Sequence, residues 1–143
     1  MNWEEIYRQL PGILNALTAS PRYPVRNLTE AEVGKIFGER ETPGLYVFWL
    51  AKTGKADYVG RTKNIQRQVG SQHRLLANTL TSLTVTLLRD PPLKLNGQRA
   101  AREYLFDNYE ASFVKVPDFL VRAAAELYVH IQLGTKYNSF DER

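Results

Sequence analysis

The sequence predicts an α/β domain: a small three-stranded, mainly antiparallel sheet flanked by helices, with a helical N-terminal extension. Three observations carry this. Leu45 to Leu50 and the run through Tyr58-Val59 are rich in β-forming residues, and Lys52-Thr53-Gly54-Lys55 between them supplies a turn glycine, so they read as a hairpin. Asn64 follows as a good helix N-cap, with Ile65, Val69 and Leu76 at helical spacing behind it. Leu83-Thr84-Val85-Thr86-Leu87-Leu88 is a further β-forming run and reads as the third strand.

Taken in order, residues 3–17 form an amphipathic helix with Trp3, Ile6, Leu10, Ile13, Leu14 and Leu17 at intervals of three and four. Pro11-Gly12 predicts a break or kink within it. Ser20 to Pro24 is a turn or extended linker, because each residue before a proline is pushed out of the helical region. Thr29 and Glu32 form a capping box and Leu28 can staple onto Val33, opening a short helix that stops near Gly38. Residues 1–43 carry no chemical motif and read as a helical extension packed on the core formed by residues 44–143. In the hairpin, Leu45, Val47 and Trp49 share one face, and Tyr46, Phe48 and Leu50 the other. Asp90-Pro91-Pro92 ends the third strand, Gln98 to Asn108 is helical, and Phe113 to Val116 is a short extended segment. Asp118 caps a last helix that ends at Gly134, with Leu120, Ala124, Leu127 and Ile131 as its expected buried stripe.

The 143 residues suffice for one domain that buries about two-thirds of its unfolded surface. With 43% hydrophobic and 24% charged residues, the chain is not of the disordered class. No apolar run approaches the roughly 20 residues that span a membrane, and Met1-Asn2-Trp3-Glu4-Glu5 is acidic and lacks a signal-peptide core. A cytoplasmic location without membrane contact is the expectation. Absence of cysteine excludes disulfides and thiolate metal sites. The net charge is +4, and it is unevenly placed. Residues 44–75 carry Lys52, Lys55, Arg61, Lys63, Arg67 and Arg74 against Asp57 alone, whereas the flanking segments are near balance. An ordinary solvated face is the plain reading of such a run; its concentration around two tyrosines and a histidine points instead to a phosphate-facing surface.

Phosphodiester hydrolysis needs an activated water, neutralisation of phosphate charge and a stabilised leaving oxygen. His73 and His130 are the only histidines, and neither paired carboxylates at motif spacing nor a Walker loop occurs. Glu126 is the candidate metal ligand, since a single carboxylate suits a Mg²⁺ that keeps most of its waters. On the residues alone the preferred reading is a surface glutamate paired with Arg122 or His130 one turn away. For Tyr46 and Tyr58 it is aromatic packing in a half-buried sheet.

Gly44-Leu45-Tyr46, the run Tyr58-Val59-Gly60-Arg61-Thr62-Lys63-Asn64-Ile65, and Glu126 followed twelve residues later by Asn138, preceded by Tyr137, occur in that order. Together they resemble the GIY-YIG nuclease superfamily across residues 44 to 138. The resemblance implies a DNA endonuclease dependent on Mg²⁺ (or Mn²⁺), with Tyr46 as general base, Tyr58 positioning the nucleophile, Glu126 holding the metal and Asn138 supporting the site. It places a histidine that relays a proton or touches phosphate on the first helix; His73 lies five residues beyond Gln68, where the usual spacing is four. Arg61, Lys63, Arg67 and Arg74 become the expected DNA-backbone contacts, their effect fading as salt rises. A phenol with an ordinary pKa near ~10 is a poor base at neutral pH unless cations lower it, and the basic segment is the expected source of that field.

Gln68 departs from the pattern. The resemblance calls for an arginine eight residues after Gly60, and glutamine can hydrogen-bond a phosphate but cannot neutralise it. Three readings follow: an arginine replaced by glutamine, a binding module without catalysis, or an enzyme using Arg67, Arg61 or Arg74 instead. A non-catalytic DNA-binding module is therefore the alternative function. A protein-interaction domain is a further one, supported only by the amphipathic N-terminal helix. Cutting both strands of a duplex with one small site per chain calls for two chains or two encounters, so a homodimer is among the expectations.

Overall fold

The computed structural model describes residues 1–73 and 82–140. Among the described residues, the α-helices and strands run in the order α1 (Trp3–Ala19), β1 (Tyr23–Pro24), α2 (Glu30–Phe37), β2 (Gly44–Leu50), β3 (Lys55–Thr62), α3 (Ile65–Gly70), α4 (Ser82–Leu88), α5 (Gly97–Asn108), β4 (Tyr109–Lys115) and α6 (Phe119–Leu133), with short 3-10 turns between some of them. The α/β class holds, but the sheet has four strands rather than three, ordered β1-β4-β2-β3 and antiparallel throughout.

The hairpin alternates as its sequence requires. Leu45, Val47 and Trp49 pack with Val59 against α1 and α6 on one face. Tyr46, Phe48 and Leu50 pack with Tyr58 and Phe113 on the other, beneath α2 to α5. Pairing slips between Phe48 and Trp49: Phe48 faces Tyr58 while Trp49 faces Ala56, leaving Asp57 as the extra residue of a β-bulge. The bulge puts Ala56 and Val59 on the same side of the sheet, so both enter the α1–α6 core. Asp57 is thereby buried, and its carboxylate accepts a hydrogen bond from the Tyr109 hydroxyl at 2.5 Å.

Two strand expectations are corrected. Leu83 to Leu88 lies within a helix, because Leu83, Thr84 and Leu87 are its buried residues and that spacing fits a helix on α5, not a pleat. A short apolar run fits either period, and packing decided here. The third long strand is β4, seven residues in place of the predicted short extended segment, and it lies between β1 and β2. Its buried Ser112 accepts from Trp49 Nε1 at 2.9 Å and donates to the Leu17 carbonyl at 2.8 Å, which makes a polar residue tolerable between two packed layers.

The helices show one agreement and two further differences. Thr29, Asn64 and Asp118 each cap their helix by accepting backbone N–H bonds, and Gly38 and Gly134 end helices at φ 68° and 63°. α1 continues through Pro11 without the expected break. Pro11 is on the exposed side, opposite buried Ile6, Leu10, Ile13 and Leu17, so the ladder bond it cannot donate is missing from the solvent side of the helix. On α6 the buried residues are Val121, Arg122, Ala125 and Val129, whereas Leu120, Leu127 and Ile131 are exposed. The expected stripe is rotated because α6 offers apolar residues on almost every side, and contact with α1 and β3 selects one of them. Leu76 of the predicted first-helix stripe lies outside the described residues. No helix among the described residues is long and apolar enough to cross a membrane.

Candidate functional site

The site begins with the hairpin register, which sets Tyr46 opposite Gly60 and Phe48 opposite Tyr58. The rings of Tyr46 and Tyr58 lie 6.2 Å apart, and Phe48 is 5.4 Å from the first and 6.3 Å from the second. A Cβ on Gly60 would fall 2.2 Å from Cζ of Tyr46, so the tyrosine ring lies across the glycine and only the absence of a side chain admits it. Gly44 is pressed in the same way against β4: a Cβ there would meet the Val114 carbonyl oxygen at 2.0 Å. A side chain at either glycine of the paired tripeptides would thus force a neighbour to shift, the β4 backbone at Gly44 and the Tyr46 ring at Gly60.

α3 follows β3 directly and brings Gln68 to the tyrosines. The Tyr46 hydroxyl lies close enough to the side chains of Gln68 and Tyr58 for both to act on its titration. Burial, then the neighbouring Tyr58 phenol and the Glu126 carboxylate, push its pKa far above the ordinary phenol value, and Gln68 opposes this only as a neutral donor. The expectation that the basic segment lowers this pKa is corrected: the shift is upward, no cation is among its main causes from the described residues, and Arg61, Lys63 and Arg67 are all exposed.

Glu126 reaches β3 from α6. Its Oε2 accepts the backbone N–H of Arg61 at 3.0 Å, and neither neighbour on its own helix is used as a partner. Arg122 instead donates to the carbonyls of Val116 and Pro117, at 3.0 and 2.8 Å, while His130 is engaged with Thr135. Partial burial raises the Glu126 pKa above the usual carboxylate range, with Arg61 opposing through its charge and its amide. Among the described residues only Oε2 of this carboxylate has a hydrogen-bond partner, which leaves the other oxygen for an electropositive group.

The chain beyond α6 returns to the same place. Asn138 Oδ1 accepts from the Val59 amide and its Nδ2 donates to the Val59 carbonyl, both at 2.8 Å. Tyr137 N–H donates to the Asp57 carbonyl at 2.9 Å, and its hydroxyl to Asp90 at 2.6 Å. The result is a cleft of about 280 Å³ lined by Tyr58, Thr86, Glu126, Tyr137, Asn138, Ser139 and Phe140. Thr86 is a lining residue that sequence reasoning missed; reading Leu83 to Leu88 as a helix was the signal that would have turned it toward the cleft.

The remaining predicted residues divide. Arg61 adjoins Glu126 through its backbone, and Lys63 lies two residues along, both exposed. Arg67 is exposed on α3, its amide taken by the Asn64 cap. His73 is engaged elsewhere: its Nε2 meets the Val25 carbonyl at 2.9 Å, and its ring stacks on Phe106 at 4.6 Å. Since a carbonyl only accepts, that nitrogen carries the proton. Arg74 lies outside the described residues. No group of three or more His, Asp or Glu able to hold a metal ion occurs among the described residues, and of the described residues lining the cleft Glu126 is the only carboxylate.

No family model and no curated protein matches the chain. Among solved structures, it is similar to the GIY-YIG N-terminal endonuclease domain of UvrC from Thermotoga maritima bound to its catalytic divalent cation, magnesium, at 19% identity and TM-score 0.45 over 97% of this chain and 100% of that one. It is likewise similar to a tyrosine-to-phenylalanine point mutant of that domain bound to its catalytic divalent cation, at 16% identity and TM-score 0.45, over 97% and 99% of the two chains.

Proposed function

We propose that this chain is built as a divalent-metal-dependent DNA endonuclease of GIY-YIG type, and that Gln68 leaves the chain as written slow or inactive. The observation that carries the reading is convergence: Tyr46, Tyr58, Gln68, Glu126 and Asn138, drawn from two strands, two helices and the C-terminal segment, meet around one end of the β2–β3 hairpin. A magnesium ion fits the donor set, because Glu126 has a carboxylate oxygen outside its Arg61 bond and lines an open cleft where waters and a substrate phosphate can supply the rest. Bound there, it would neutralise phosphate charge and polarise the phosphorus centre.

The chain's own residues orient the reaction. Asn138 fixes the strand carrying Tyr58, and the Arg61 amide fixes one oxygen of Glu126. Tyr46 holds its proton at neutral pH and its ring lies beside that of Tyr58, so as it stands it positions rather than deprotonates. An arginine at position 68 would bring a charge to that hydroxyl and a fork to the phosphate. The neutral Gln68 against a buried phenol specifically favours the second reading, a DNA-binding module that has kept the scaffold.

The test is plasmid nicking with and without Mg²⁺, for this chain and for Gln68→Arg. The arginine form should cut only with metal, and this chain should be slower by about 10²–10³, the usual cost of one preorganised donor. Adding Glu126→Gln to the arginine form should abolish cutting. Salt-sensitive DNA binding with no cutting by either form would select the binding module. Robust cutting by this chain, with no gain from arginine, would sink the role given to Gln68.

A further inference from the structure

Beyond the cleft, a groove of about 530 Å³ runs between the end of β3 and the first turn of α6. Its lining is of two kinds. Arg61, Lys63 and Arg122 give it positive charge, and no acidic residue lines it. Phe119 and Leu120 give it an apolar wall while remaining 66% and 43% exposed. Arg122 is 7% exposed and held by two backbone carbonyls, and among the described residues it has no carboxylate partner. Burying an arginine without an acid is costly unless an anion arrives to meet it. Leaving a phenylalanine in water at the same place forgoes a contact that a flat apolar group would supply.

We infer that this groove takes an unstacked nucleotide, Phe119 stacking on its base while Arg61, Lys63 and Arg122 attract the flanking phosphates. The inference rests on the nucleic-acid reading of the neighbouring cleft and names its substrate class: DNA with single-stranded character, such as a bubble or flap, beside the phosphate to be cut. Two further points favour a nucleotide over an acidic peptide. Arg61 belongs to both places, its side chain lining the groove and its amide bonded to Glu126, so a strand lying along the cleft continues into the groove. Stacking needs an exposed base face, which an intact duplex does not offer outside its ends.

The experiment is anisotropy binding without divalent metal, using one labelled sequence as a blunt duplex, as the same duplex with a short bubble, and as a single strand. The bubble and the single strand should bind about 5- to 100-fold more tightly than the duplex, the range for stacking one base. Phe119→Ala should erase that preference and leave duplex affinity within about twofold, while Phe119→Trp should keep it. Phe119 is exposed, so neither change threatens folding. Equal affinity for all three DNAs, or a preference that survives Phe119→Ala, overturns the groove assignment and leaves the nuclease reading standing. Failure to bind any of the three overturns both, and tight binding of a Phe-containing polyglutamate peptide in that case assigns the groove to a protein partner.

Discussion

The phenol ring of Tyr46 lies across the α-carbon of Gly60, where an added Cβ would come within 2.2 Å of Cζ and 2.3 Å of the hydroxyl oxygen. Tyr46 and Gly60 face each other in the hairpin register, and the ring is walled in by Phe48 and Tyr58. Gly60→Ala should therefore cost about 1–3 kcal/mol, as overpacking does. Combined with Tyr46→Ala it should cost less than the two changes added together, because the smaller side chain removes the clash. A double-mutant cycle by chemical denaturation reads this, and strict additivity would mean that the ring moves aside freely.

Tyr46, Tyr109 and Tyr137 all have pKa values raised above the ordinary phenol, chiefly by burial, with Asp57 adding to Tyr109 and Asp90 to Tyr137. Above about pH 10 the unfolded chain's tyrosines release their protons while these three hold theirs. The fold then binds more protons than the unfolded state, so its stability is intact below that pH and falls as pH rises through it. Thermal melts across pH 8–11 should show the decline, with a shallower slope for Tyr46→Phe. Gln68→Arg should lower the Tyr46 pKa and flatten the slope too, with phenolate absorbance near 295 nm appearing at lower pH. A slope indifferent to both variants would count against the position assigned to Tyr46.

Ser112 joins three elements at one buried point, accepting from Trp49 on β2 and donating to Leu17 at the end of α1. Ser112→Ala leaves an indole N–H and a carbonyl without partners in a dry layer and should cost about 1–3 kcal/mol. Trp49→Phe together with Ser112→Ala leaves fewer orphaned groups, so the pair should lose less than the sum. Denaturant midpoints at unchanged slope would measure it.

Asn138→Ala removes both bonds to Val59, and the Val59 amide should lose its hydrogen-exchange protection. Asn138→Asp keeps an acceptor for the amide but sets a carboxylate oxygen against the Val59 carbonyl, so it should rescue little. In the Gln68→Arg background both variants should cut plasmid at least about tenfold more slowly, since Tyr58 and Glu126 flank this contact. Full activity in Asn138→Asp would show that the amide's second bond is dispensable.

What the sequence disclosed followed from local rules. The caps at Thr29, Asn64 and Asp118, the glycine stops, and the alternation of the hairpin depend on residues a few positions apart, and all appear in the structure. What it concealed was decided by partners distant in the chain. Leu83 to Leu88 satisfies both periods until α5 is placed beside it, and α6 is apolar enough that only α1 and β3 determine which side turns inward. β4 carries Glu110 and Ser112 among its apolar residues, and Ser112 becomes an acceptable core residue only once Trp49 and Leu17 are beside it. For the site, strand register sets Tyr46 beside Tyr58, and α3 brings Gln68 near Tyr46. The direction of the Tyr46 shift was hidden, because charge counted along a segment says nothing about which charges reach a buried hydroxyl.

The pairing of Asn138 with Val59 has a bearing on self-association. β3 is the last strand of the sheet, and an uncovered outer strand offers its amides and carbonyls as a template to another chain. A single carboxamide, which presents one acceptor and one donor like a peptide group, occupies that template at its middle, beside the Asp57 bulge that already disturbs its regularity. With the Tyr137 bond to the Asp57 carbonyl and the Glu126 bond to the Arg61 amide, the same contact covers the outer edge of β3, so variants that loosen it to alter activity should also lose solubility.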